Sequence, residues 1–174
     1  MKILAFAASS STKSINKKLA VYTANLLKNA EVKVLDINDY ELPLYSEDKQ
    51  QELGKPQLAR DFLDKIAACD AIVVSYAEHN GSYTAAFKNL FDWCSLFGKE
   101  VYQGKKMVLL STSTGPSGAK SVLELAVNSS PFFAGDIKGA ISVPSFNENF
   151  DSDTGEITNP DIKAQLQEAM DNLL

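Results

Sequence analysis

The sequence predicts an α/β chain: a five-stranded parallel sheet in the order 2-1-3-4-5, with helices on both faces. Three observations lead there. Short apolar, β-rich runs alternate with helical periods five times along 174 residues, and such alternation means βαβ units. The runs VVSY and VLLST are continuously apolar, as strands covered on both faces are. Five-stranded doubly wound sheets commonly take the order 2-1-3-4-5.

The strands are read at KILAFA (2–7), EVKVLDI (31–37), DAIVVSY (70–76), KMVLLST (106–112) and GAISV (139–143). Ile15, Leu19, Tyr22 and Leu26 recur at helical spacing and place the first helix. Leu58, Phe62 and Ile66 place the second; Phe87, Leu90, Phe91, Cys94 and Phe97 line one face of the third. Val122, Leu125 and Ala126 suggest a fourth, and Ile162, Leu166, Ala169 and Leu173 a fifth. The longest irregular stretches are 38–56 and 144–159. No repeat, linker or low-complexity tract interrupts the chain, so 1–174 reads as one domain with a well-filled core.

Hydrophobic residues make up 45% and charged residues 22% of the chain, an ordinary globular composition. The formal net charge of −5 speaks against nucleic acid as a partner, because that surface needs clustered Lys and Arg. A small phosphorylated ligand remains compatible, since a few amides and one local lysine suffice for it. No apolar stretch approaches membrane-spanning length, and KILAFAA lacks the longer apolar core and cleavage site of a secretory signal. Cys69 and Cys94 lack metal-ligand or redox spacing and read as small buried hydrophobes. A reducing, cytoplasmic setting is expected.

In this topology ligands bind beyond the carboxyl ends of the strands, where the order reverses between strands 1 and 3. The loops after strands 1, 3 and 4 should therefore carry unusual chemistry. The first is SSSTKSIN, Ser9 to Asn16. Ser14 can cap the following helix, and the free amides, the helix dipole and Lys13 favour an anion. A plain serine-rich cap accounts for the same residues, and neither GxxxxGK nor GxGxxG is present. The loop after strand 3, AEHNGSYT, holds the turn signal Asn80-Gly81 and the single histidine, His79. A lone loop histidine is commonly just solvated; its place at the expected crevice makes it a candidate. The loop after strand 4, STSTGPSG, combines hydroxyls with Gly115, Pro116 and Gly118, which turn chemistry alone also explains. The loop after strand 2, NDYELPLYSEDK, is acidic and has no phosphate-like chemistry. The coincidence of three polar loops with the switch point weighs more than any one of them.

These residues resemble the NADPH-dependent FMN reductase family of flavodoxin-like proteins, which includes quinone, chromate and azo-dye reductases. EHNGSYTAAFKNLFDW, Glu78 to Trp93, is similar to the family's T-P-E-Y-N-x-S loop and the K-N-x-x-D-W helix after it. Ser9 to Asn16 is similar to its S-x-R-x-x-S-x-N phosphate loop, and LPLYSED, Leu42 to Asp48, to its segment after strand 2. The resemblance implies that Ser9, Ser11, Lys13, Ser14, Ile15 and Asn16 hold the FMN phosphate. It implies that Ala77, Glu78, His79, Asn80 and Ser82 line the isoalloxazine ring, mostly through backbone groups. Ser113, Gly115 and Gly118 would border the ring or ribityl chain. A homodimer or homotetramer with the flavin near a subunit boundary is implied as well.

The sequence departs from the family pattern at three places. Ser11 stands where the family has arginine, so a bidentate contact to phosphate is missing. Ala77 replaces a proline and frees a backbone N–H. His79 replaces a tyrosine and brings a titratable group. The implied function is hydride transfer from NADPH or NADH through bound FMN to free flavin, a quinone or another electron-poor acceptor, with no protein general acid or base. Two alternatives stay open here: a flavodoxin-like electron carrier, and a flavin-depleted binding or regulatory module. DSDTGE, Asp151 to Glu156, reads as a solvated acidic turn, because a calcium loop's glycine and distal glutamate are misplaced. Trp93 and Phe97, four apart on a helix, are expected to form a dimer patch.

Overall fold

The computed structural model describes residues 1–174. Strands β1 (Lys2–Ala8), β2 (Glu31–Leu35), β3 (Ala71–Tyr76), β4 (Lys106–Thr112) and β5 (Asp136–Val143) form one parallel sheet in the order β2-β1-β3-β4-β5. In register, Ala5 pairs with Val34 and Val73, and Leu110 with Ser75 and Ile141. The order read from the sequence is the order found.

Successive strand residues face opposite sides, and two cores result. Leu4, Phe6, Ile72, Val74, Met107 and Leu109 pack against α3 (Gln57–Ala67), α4 (Ala85–Ser95) and α5 (Lys120–Ser129). Ile3, Ala5, Val73, Val108 and Leu110 pack against α1 (Ile15–Ala24) and α7 (Pro160–Asp171). Each large side chain buried this way contributes about 1.5–3 kcal/mol. Gly139 lets α7 close onto β5, because a Cβ there would lie 2.6 Å from that of Ala169.

Both stretches read as irregular hold short elements. Residues 38–56 contain most of a 3₁₀ turn, Ile37–Tyr40, and α2 (Glu47–Leu53), capped by Ser46. α2 buries no residue, so it left no apolar period to detect. Residues 144–159 contain α6 (Phe146–Asn149) and a hairpin of β6 (Phe150–Asp151) with β7 (Glu156–Ile157). DSDTGE is the turn of that hairpin. The Asp153 and Thr154 amides donate to the Asp151 carboxylate and hold it below its ordinary value. No cluster of three or more His, Cys, Asp or Glu side chains is placed to hold a metal ion. No helix is long and apolar enough to cross a membrane.

The expected Trp93–Phe97 dimer patch is corrected. Trp93 is fully buried, its Nε1 donates to the Pro43 carbonyl at 2.7 Å, and its ring meets Tyr45 edge-on. Phe97 is half-buried and lies beneath the Lys55 and Arg60 cations. Helical spacing carried Phe97 onto the helix with Trp93, but α4 ends at Ser95 and Phe97 lies in the turn after it; nor could spacing show the segment 42–45 folding over Trp93.

Candidate functional site

The β1–α1 loop is folded by its own serines. The Ser9 Oγ accepts from the Ser11 amide, the Ser11 Oγ from the Lys13 amide, and the Ser11 carbonyl from the Ser14 amide. Ser14 is the N-cap of α1, its Oγ accepting from the Lys17 amide at 3.1 Å. Each hydroxyl uses a lone pair and keeps its proton free to donate. The amides of Ser10, Thr12, Ile15 and Asn16 have no acceptor in the protein. They surround the positive end of the α1 dipole, which favours an anion. Lys13 is exposed and forms no ion pair, whereas Lys17 is held by Asp36 at 2.7 Å.

Three neighbours position this loop. Thr84 caps α4 and also donates its hydroxyl to the Ala8 carbonyl at 3.0 Å. Asn38, from the turn after β2, donates to the Ser10 carbonyl at 3.1 Å, so the acidic second loop supports the first. Asn16 does most. It is 3% exposed; its Oδ1 accepts from the Ser75 hydroxyl and the Thr112 amide, and its Nδ2 donates to the Thr112 carbonyl. Its side chain ties α1 to the ends of β3 and β4, and only its backbone amide is left without an acceptor. The sequence placed Asn16 at the site but could not assign this bridging role.

The β3–α4 loop is a two-residue hairpin turn. Asn80 and Gly81 have φ of 54° and 77°, and His79 and Ser82 exchange both backbone hydrogen bonds. Asn-Gly suits such a turn because both central residues need positive φ. His79, Asn80 and Ser82 are exposed, and the Ala77 amide has no acceptor in the protein. Glu78 points elsewhere: its Oε2 accepts from the Val122 amide of α5 at 2.9 Å.

The β4–α5 loop is docked on the end of β5. The Ser113 carbonyl accepts from the Phe146 amide, and the Gly115 carbonyl from the amides of Gly118 and Ser145. The Gly118 carbonyl accepts from the Ser111 and Ser142 hydroxyls at 2.7 and 2.9 Å. Gly118 has φ 60°, and a Cβ there would collide with Ser142 and press on the Val143–Pro144 backbone. Glycine is required here by a close approach to β5. The largest concavity, about 680 Å³, lies elsewhere, between α1, the β6–β7 hairpin and α7, and none of the expected site residues lines it.

Four amides without acceptors, three hydroxyls with free protons and one unpaired lysine fit a phosphate group. The family model of NADPH-dependent FMN reductases matches residues 1–148. An uncharacterised protein of Mycoplasma pneumoniae is 30% identical over 149 residues, 81% of this chain and 86% of its own length. A 2-hydroxy-1,4-benzoquinone reductase of a Burkholderia species is 34% identical over 120 residues, which cover 68% of this chain and 63% of that protein. This chain thus spans under two thirds of that relative. The flavoenzyme FerB, an NAD(P)H:(acceptor) oxidoreductase of Paracoccus denitrificans, has a similar structure, with TM-score 0.78 and 25% identity over 99% of this chain and 94% of that one. The chain therefore belongs to the NADPH-dependent FMN reductase family and is a flavin-dependent oxidoreductase whose cofactors are FMN and a reduced nicotinamide.

Proposed function

We propose that the FMN phosphate sits on the amides of Ser10, Thr12, Ile15 and Asn16, with the hydroxyls of Ser9, Ser11 and Ser14 and the Lys13 ammonium around it. The observation that carries this reading is the set of acceptor-free amides at the α1 N-terminus, beside the point where strand order reverses. The ring then lies between residues 77–82 and 113–118. Bound FMN supplies hydride chemistry, from NADPH or NADH to free flavin, a quinone or another electron-poor acceptor. The chain's own contribution is orientation. The exposed Asn80-Gly81 turn presents backbone groups at the ring edge, and Lys13 offsets phosphate charge. No side chain is assigned as a general acid or base.

The chain acts as a homodimer or homotetramer in this reading, without nucleic acid and in a reducing, cytoplasmic setting. Its contact face is the apolar groove of about 270 Å³ between α4 and α5, lined by Phe87, Phe91 and Phe133. Phe132, 68% exposed, lies beside it in sequence, and Leu125, 39% exposed, lines it. Sedimentation of a Phe132→Lys variant tests this: an unchanged oligomer would move the interface elsewhere.

The purified protein should show the visible absorbance of flavin, or gain it on titration with FMN, and should oxidise NADPH or NADH with a quinone. No turnover at saturating FMN would leave an electron carrier instead. Ser11→Arg should tighten FMN binding by at most about 1.5–3 kcal/mol, the range of a charged hydrogen bond. Unchanged affinity would mean that position 11 does not face the phosphate.

A further inference from the structure

Helices α1, α2, α4 and α7 begin with caps of their own, Ser14, Ser46, Thr84 and Asn159. Helix α5 does not. It starts from two successive left-handed residues, Gly118 at φ 60° and Ala119 at φ 59°, and Ala119 has no side chain that caps. A non-glycine residue in that region is strained and persists only when its surroundings hold it there. The outside support comes from the β3–α4 loop. The Glu78 carboxylate accepts the Val122 amide, in the first turn of α5, at 2.9 Å. The α5 dipole strengthens this bond, because it favours negative charge at a helix N-terminus. Glu78 thereby joins the β3–α4 loop to the first turn of α5, which directly follows the loop on the other side of the proposed ring position.

We propose that Glu78 is a positioning residue. Its carboxylate clamps the start of α5 to the β3–α4 loop, sets the separation between residues 77–82 and 113–118, and preorganises both walls of the ring cleft. The effect on the flavin rests on the FMN reading above; the clamp itself does not. A preformed cleft binds without first ordering its loops, and loses affinity when the clamp is removed.

Hydrogen exchange on the flavin-free protein reads the clamp directly. In Glu78→Ala the Val122 amide should exchange at least about tenfold faster, the loss of one charge-assisted bond. Glu78→Gln keeps a carbonyl acceptor and should recover most of the protection. FMN titration reads the consequence: Glu78→Ala should bind about tenfold more weakly, with Glu78→Gln between it and the parent. Unchanged exchange at Val122 in Glu78→Ala overturns the clamp. Faster exchange with unchanged FMN affinity overturns the positioning role. If the parent protein binds no FMN, the positioning role falls with the flavin reading, while exchange still decides the clamp. Should Glu78→Ala fail to fold, Glu78→Gln carries both measurements, and a variant indistinguishable from the parent in both overturns the role of the charge.

Discussion

The loops after β1 and β4 are both rich in serine and threonine, and they use them in opposite ways. In the first, serines bond to their own loop and leave four backbone amides and one lysine free. In the second, the carbonyls of Ser113, Gly115 and Gly118 are engaged by the end of β5 and the segment after it. The first is open to an anion; the second is mainly a docked wall. Polar composition alone does not separate them. What separates them is which donors and acceptors already have partners, since a buried polar group without one is costly and an exposed one is available.

Asn16, at the start of α1, ties the first loop to the strand end from which the second begins, so removing it should do the most damage. Asn16→Ala strands the Thr112 amide and carbonyl and the Ser75 hydroxyl, all buried. The expected loss is about 3 kcal/mol, with denaturant unfolding as the measurement and flavin binding falling alongside. Gly118→Ala attacks the wall alone. It should cost about 2 kcal/mol through strained φ and overpacking against β5, while affinity for inorganic phosphate stays unchanged. An equal loss of phosphate binding would erase the distinction between the loops.

Ser14 separates a helix cap from an anion site. Ser14→Ala should lower stability by about 1 kcal/mol and weaken FMN binding. Ser14→Asp keeps the cap and should restore stability, but its charge should repel the phosphate and abolish tight binding. Normal FMN affinity in Ser14→Asp would return the loop to a cap-only role. The smallest effect concerns Asp36, whose carboxyl lies below its ordinary 3.8, chiefly because Lys17 donates to it. A lowered native value means the contribution is full above 3.8 and is lost as acidification carries the pH below that value. The pair is partly exposed, so Asp36→Asn should cost no more than about 0.5 kcal/mol at neutral pH and nothing in acid.

Much of the fold was legible, because strand and helix are local and periodic. α2 was not, because it buries no face, and the β6–β7 strands, two residues each, are too short to show a period. Trp93 was placed on the right helix and misread as surface, because its partner Pro43 lies 50 residues away. Glu78 and Asn16 were placed at the site for the residue types they share with a family pattern, yet their bonds run to Val122 and Thr112.

By itself, then, the sequence of this protein determined the five strands of the sheet and the long helices packed on it, which loops meet at the switch point, and which positions depart from the family pattern. Periodicity and turn chemistry act over a few residues, and that range is enough for these features. Only the tertiary structure decided which polar groups are engaged and which remain free. Those partners are brought together by packing across 44 to 96 residues of chain, as in the Glu78–Val122 and Asn16–Thr112 pairs, and no local pattern encodes a contact of that range.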